Sequence, residues 1–365
     1  MQAKRNILHL PVYQPGKPVE DVKRELGLDE VIKLASNENP YGSSPLARQA
    51  IIAEIENNSI YPDGASIELT AAMAANLGVQ PEQLIWGNGA DEIILMIARS
   101  FLEPGDETIM ASETFSQYRH NAVVENAVII EIPLVEGRHD LPAMLAAVTD
   151  KTKVVWICSP NNPTGAIVTQ EELSSFMNSI RSDVLVVLDE AYCHFVDDVD
   201  YHDSLELLKR FDNLISLRTF SKIYGLAALR IGYGIAHPSV INSINLVREP
   251  FNTARVAQAA ARAALADQAF VDGCREKNIR ERDYLQGEFD RLGLKYFPTQ
   301  ANFIFVDVRI PSKDAFDALL RKGFITRANW PKSPNWLRIS IGKAEDNRKL
   351  IAALEQVLRE AAVLG

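Results

Sequence analysis

The chain has 365 residues, 47% of them apolar and 24% charged, with a net charge of −10. At ~150 residues per domain it spans about two domains, and it can bury a full core without metal or disulfide staples. The composition excludes general disorder, and the acidic balance excludes a nucleic-acid binder, which needs a basic stripe, while leaving room for a local cationic pocket.

Residues 1–35 read as an irregular arm, with a turn-rich stretch at Tyr13-Gln14-Pro15-Gly16-Lys17-Pro18. Short Val/Ile-rich runs at 108–111, 128–132, 154–158, 184–188, 214–217 and 231–235 predict strands. The unbroken run Val184-Leu185-Val186-Val187-Leu188 suits a strand covered on both faces. Between the strands, 91–102 has apolar residues at helical spacing, and Thr169 with Glu172 reads as a capping box opening a helix to residue 180. Alternating strands and helices predict an α/β fold with a mostly parallel sheet between helices. Residues 253–290 read as one long connecting helix. A strand at 303–308, a helix at 312–322, a strand at 336–341 and a helix at 344–361 then read as a small α+β domain. The expected division is an arm (1–35), a large domain (36–252), and an interdomain helix with a small C-terminal domain (253–365).

The three cysteines (Cys158, Cys193, Cys274) share no CxxC spacing and form no paired framework, which points to a reducing compartment. Residues 1–10 lack the apolar core of a signal peptide, and no run of about 18 apolar residues suggests a membrane span, so cytoplasm is the expected location.

Four loops carry chemistry. Gly87-Asn88-Gly89-Ala90-Asp91-Glu92 runs into a helix, where open N–H groups favour an anion; it matches neither the dinucleotide fingerprint nor a P-loop. Ser159-Pro160-Asn161-Asn162-Pro163-Thr164-Gly165 follows a strand, at the sheet edge where ligands bind. Asp189-Glu190-Ala191-Tyr192 follows another, and a carboxylate there needs a partner. His194, Asp197 and Asp198 match no standard metal spacing, so no metal is expected. Arg218-Thr219-Phe220-Ser221-Lys222-Ile223-Tyr224-Gly225, with Arg230, makes a cationic nook in which a lysine would have a lowered pKa and attack carbonyls. An anion cradle, an amide, a carboxylate with a phenol and a nucleophilic lysine together match pyridoxal 5′-phosphate.

On these loops, and on Tyr13–Lys17, Lys33-Leu34-Ala35-Ser36-Asn37-Glu38-Asn39-Pro40-Tyr41-Gly42, Tyr61-Pro62-Asp63-Gly64, Arg248-Glu249-Pro250-Phe251-Asn252 and Leu337-Arg338-Ile339-Ser340-Ile341-Gly342, the chain resembles the class-II, fold-type I pyridoxal-phosphate-dependent aminotransferases. Within them it is most similar to the histidinol-phosphate aminotransferase family. The resemblance implies a mostly parallel seven-stranded sheet and assigns roles. Lys222 would bond the cofactor and shuttle the proton, and Asp189 would pair with the ring nitrogen. Asn162 and Tyr192 would hydrogen-bond the ring oxygen, and Phe115 would stack on the ring. Gly89, Ala90, Asp91, Thr219, Ser221 and Arg230 would hold the phosphate. Arg338 and Arg327 would take substrate anions, and Asn39 would line the pocket. Tyr61 would reach the partner subunit's cofactor phosphate and Tyr13 its substrate, implying a homodimer with shared sites.

The implied reaction converts L-histidinol phosphate and 2-oxoglutarate to imidazole acetol phosphate and L-glutamate, in histidine synthesis. An aromatic aminotransferase, a phosphothreonine-type decarboxylase and a non-catalytic ligand-sensing domain are the rival readings. The last wants a helix-turn-helix and a basic region, and the sequence displays neither.

Overall fold

A computed structural model describes residues 2–12 and 16–361. In chain order the elements are α1 (Val19–Leu26), β1 (Ile32–Lys33), α2 (Pro45–Glu54), α3 (Ile67–Leu77), β2 (Leu84–Gly87), α4 (Ala90–Phe101), β3 (Glu107–Ala111), α5 (Ser116–Val124), β4 (Val128–Ile132), α6 (Leu141–Ala146), β5 (Thr152–Cys158), α7 (Gln170–Ser179), β6 (Leu185–Asp189), α8 (Ser204–Leu208), β7 (Leu214–Thr219) and β8 (Gly232–Ala236). There follow α9 (Pro238–Asn245), α10 (Arg255–Ala266), α11 (Gln268–Arg291), β9 (Lys295–Tyr296), β10 (Phe303–Asp307), α12 (Ser312–Arg321), β11 (Phe324–Ile325), β12 (Trp336–Ser340) and α13 (Ala344–Glu360).

Seven strands form one sheet in the order β2-β8-β7-β6-β5-β3-β4, in which β8 alone runs antiparallel to its two neighbours, β2 and β7. Successive side chains point to opposite sides, and in the central strands β6 and β7 both faces are covered, whereas β4 at the sheet edge stays partly exposed. In β6, Val186 and Leu188 join the core that holds Met73, Phe176 and Ala260. Leu185 and Val187 join the core that holds Ile93, Tyr118 and Trp156. Asp189 continues the second set, so its carboxylate points toward α5. The capping box forms as expected: Thr169 Oγ1 accepts from Glu172 N at 3.3 Å, and Thr169 N donates to Glu172 Oε2 at 2.8 Å.

A three-stranded antiparallel sheet, β12-β10-β9, carries the smaller core with α11, α12 and α13. Two sequence expectations need correction here. Residues 1–35 are not wholly irregular: they contain α1, with Val22 fully buried, and β1, which pairs in parallel with β11 in a separate two-stranded sheet. The single long helix at 253–290 is two helices. Asp267 breaks it, accepting from Phe270 N to start α11 and from Ser44 Oγ at 2.6 Å, which ties the junction to α2. No helix among the described residues is long and apolar enough to cross a membrane.

Candidate active site

Four loops at the ends of β2, β5, β6 and β7 meet the 34–39 segment and strand β12 in one cleft. Gly89 is the N-cap of α4, with φ 76°, and a side chain there would collide with the Arg230 guanidinium. Gly232 is constrained too, since a Cβ would stand 2.5 Å from Ala90 N. Both glycines let the turn before α4 close against β8. With no side chain capping this helix, the first amides of α4 form an anion cradle. Beside it, Thr219 Oγ1 donates to Ser221 Oγ (3.0 Å), and Arg230 donates to Ser221 Oγ (3.3 Å) and to Asp91 Oδ2 (3.2 Å).

Asp189 is 4% exposed. It accepts from Tyr118 Oη at 2.6 Å and from Ala191 N at 3.1 Å, and no cationic side chain pairs with it among the described residues. Burial therefore pushes its carboxyl up to about 6, despite the Tyr118 bond. The next residue shows the opposite case. Glu190 is 1% exposed and is hydrogen-bonded by Arg218 Nε (3.1 Å), His202 Nε2 (3.1 Å), Ser204 Oγ (2.7 Å) and Ser216 Oγ. Burial alone would raise it, but the Arg218 guanidinium, His202 and Ser216 outweigh burial and hold it well below the carboxylate range.

Glu190→Ala leaves Arg218 buried without its anion and should lower the unfolding free energy by about 3–5 kcal/mol. Equilibrium denaturation checks this, and a loss under ~1 kcal/mol would mean the cluster does not brace the fold. Because folding lowers this pKa, the contribution is present above the unfolded value of ~4.3 and fades as pH falls through the folded one.

Lys222 follows β7 and reaches across the cleft, with Nζ donating to Ser36 O at 3.3 Å and lying 5.6 Å from the centre of the Tyr192 ring. Burial lowers its ammonium pKa to about 8, helped by the positive charges of Arg338 and Arg230. Tyr192 Oη accepts from Asn37 Nδ2 at 3.0 Å, and burial pushes its phenol up. Asn162 Oδ1 accepts from Arg338 at 2.6 Å, and the other Arg338 nitrogen donates to Ala35 O at 2.5 Å. Arg327 lies beside Arg338 through a reciprocal pair of backbone bonds of 3.0 and 2.9 Å. Phe115 caps α5 and meets Tyr118 edge-on at 5.7 Å. Asn39 turns its amide to Ile223 O at 2.7 Å, so it braces the residue after Lys222.

One expected residue lies apart. Tyr61 is 76% exposed and stacks on Phe251 at 4.8 Å, away from the cleft of its own chain. Tyr13 lies outside the described residues. Asp197, weighed above as a metal ligand, instead accepts both terminal nitrogens of Arg282 at 2.8 and 2.9 Å. Sequence reasoning missed Tyr118, Asn37 and the Glu190 cluster. Tyr118 is one helical turn beyond Phe115, a spacing that could have suggested it.

A sequence profile of the aminotransferase class I and II family matches residues 29–354, and the chain belongs to that family. It is 54% identical over 362 residues to the histidinol-phosphate aminotransferase of Brevibacillus brevis, covering 99% of this chain and 100% of that one. It is 52% identical over 365 residues to the corresponding enzyme of a Geobacillus species, covering 100% of both chains. Among solved structures, histidinol-phosphate aminotransferase from Sinorhizobium meliloti in complex with pyridoxal-5′-phosphate superposes with a TM-score of 0.91 at 28% identity, over 99% of this chain and 98% of that one.

Pyridoxal 5′-phosphate is the family's cofactor, and this cleft fits it on its own geometry. A buried carboxylate without a cation suits a protonated ring nitrogen. A glycine turn closed by Arg230 suits a phosphate, and a buried lysine shifted toward its neutral form suits an aldehyde.

Proposed function

We propose that the chain catalyses transfer of the amino group of L-histidinol phosphate to 2-oxoglutarate, giving imidazole acetol phosphate and L-glutamate, within histidine synthesis. Amino acids and 2-oxo acids are the substrates of the family at large. The observation that carries the finer reading is the backbone bridge between Arg327 and Arg338, a directly opposed pair whose side chains leave the same face of the two strands. Two planar forks suit a substrate set made of a phosphate monoester and dicarboxylates. The full-length relatives near 50% identity support the same choice.

When bound, pyridoxal phosphate supplies an aldehyde that condenses with amines and a cationic ring that withdraws electrons. The chain's residues do the rest. Lys222 Nζ would bond the aldehyde and, as a free amine, would carry the proton away from the α-carbon of the amino donor. The Asp189 carboxylate keeps the ring nitrogen protonated. Tyr192 and Asn162 orient the ring oxygen, and Phe115 stacks on the ring. The amides of Gly89, Ala90 and Asp91, with Thr219, Ser221 and Arg230, hold the phosphate. Arg338 exchanges its bonds to Asn162 and Ala35 for a substrate anion, and Arg327 takes the substrate phosphate. Asn39 borders the substrate pocket. Tyr61 and Tyr13 of each subunit complete the other's site, so the working form is a homodimer in the cytoplasm.

The test is a half-reaction screen that follows bound-cofactor absorbance. Histidinol phosphate and glutamate should both convert it, with phenylalanine and tyrosine slower. Conversion by aromatic amino acids with none by histidinol phosphate would overturn the substrate, and release of CO₂ would overturn the reaction. Arg327→Ala should raise KM for histidinol phosphate by roughly 10–100-fold, the cost of one charged hydrogen-bond pair, with a much smaller change for glutamate. Equal effects on both would remove Arg327 from the phosphate.

A further inference from the structure

Asn37 lies between β1 and α2, is 1% exposed, and has a left-handed backbone at φ 57°. Asparagine is one of the few side chains that take this conformation readily. Its polar groups are engaged on two sides. The backbone N–H donates to Ser340 Oγ at 2.9 Å, and the same hydroxyl donates to Asn37 Oδ1 at 2.8 Å. The carbonyl accepts from Asn302 Nδ2 at 3.0 Å. Ser340 ends β12 and Asn302 immediately precedes β10, so three bonds clamp Asn37 to the small sheet. Its remaining group, Nδ2, donates to the Tyr192 phenol of the large domain at 3.0 Å.

A phenol that accepts an N–H from one side keeps its own O–H for donation to another. Tyr192 is also held edge-on against Phe303 at 4.9 Å and 81°, so the ring has little freedom and the hydrogen bond decides where the O–H points. We infer that Asn37 is a positioning residue: anchored to the small domain, it aims the Tyr192 O–H at the ring oxygen of the cofactor. This rests on the assignment of Tyr192 proposed above. It places control of the cofactor's proton affinity partly in the small domain, through a residue that acts only by way of the phenol.

A hydrogen bond donated to an oxygen favours its anionic form, so losing the aim raises the pH at which the bound cofactor changes absorbance. Asn37→Gly keeps the left-handed backbone and deletes the amide. In the loaded protein this variant should raise the spectral midpoint by about 0.5–1 pH unit, roughly a threefold to tenfold change in proton affinity. Tyr192→Phe should raise it at least as far, and the double variant no further than Tyr192→Phe alone. Ser340→Ala, which removes the hydroxyl that holds both the Asn37 side chain and its backbone N–H but leaves the Asn37 amide in place, should shift the midpoint in the same direction by less. It replaces Asn37→Gly if that variant does not fold.

An unmoved midpoint in the Asn37 and Ser340 variants overturns the inference. So does an Asn37→Gly shift of equal size with and without the Tyr192 hydroxyl, because a purely structural effect would persist there. If Tyr192→Phe itself leaves the midpoint unmoved, the phenol is not at the ring oxygen. That assignment then fails, and the inference falls with it.

Discussion

Lys222→Ala is expected to lower kcat/KM by about 10⁴-fold or more, since it removes both the amine that binds the cofactor aldehyde and the base that moves the proton. The geometry makes this lysine suitable. It projects from the end of β7 to the Ser36 carbonyl, and burial with two neighbouring arginines lowers its pKa to about 8. At pH 7 that leaves roughly 10% of the amine neutral, against about 0.04% for an ordinary lysine. The rate at which the cofactor-free protein takes up pyridoxal phosphate should therefore rise as pH rises through about 8, because the neutral amine is the nucleophile. Stopped-flow absorbance would show the rise, and steady-state assays the loss. A Lys222→Ala protein within tenfold of the parent would sink the assignment.

Asp189→Asn is expected to lower kcat by roughly 10²–10³-fold, the usual cost of removing one preorganised electrostatic partner. The substitution keeps the shape and the ability to accept from Tyr118 but loses the charge. In the protein alone, Asp189 is a buried carboxyl raised to about 6, with no cationic side chain paired to it among the described residues. A protonated ring nitrogen would return it to the ionised form and be held cationic in exchange. The reciprocal expectation is weaker cofactor retention by the variant, measured by dialysis. Unchanged kcat and unchanged retention together would show that the carboxylate does not face the ring nitrogen.

The parts of this molecule legible in the sequence are those written in contiguous residues. The parallel strands were visible because Val154–Cys158 and Val184–Leu188 are unbroken apolar runs, as burial on both faces requires. Strand β2 escaped because it is four residues long and ends in a glycine that also serves the following turn. The break between α10 and α11 escaped because Asp267 looks like any surface acid until Ser44 is seen to bond it. The same division runs through the site. Lys222, Asp189, Asn162 and the Gly89 turn each sit in a short motif at a strand end, and the four motifs describe one chemistry. Asn37 and Ser340 are 303 positions apart, and Tyr118 and Asp189 are 71 apart. The spacing from Phe115 hints at Tyr118 but not at its partner, and only the folding of the sheet brings each pair into hydrogen-bond range.

The parallel pairing of β1 with β11 bears on how the molecule is made. Residues 32 and 33 leave the ribosome well ahead of the strand they pair with, residues 324 and 325. The large sheet can assemble behind them at the pace of translation, ~5–20 residues per second. Meanwhile the segment carrying Asn37 and Asn39 waits unpaired, and the Lys222 cleft stays open on one side. The active site is therefore completed only after β11 and β12 are made, and a chain truncated before β11 would hold the cofactor-binding loops without Arg338 or the strand that pins the segment after β1.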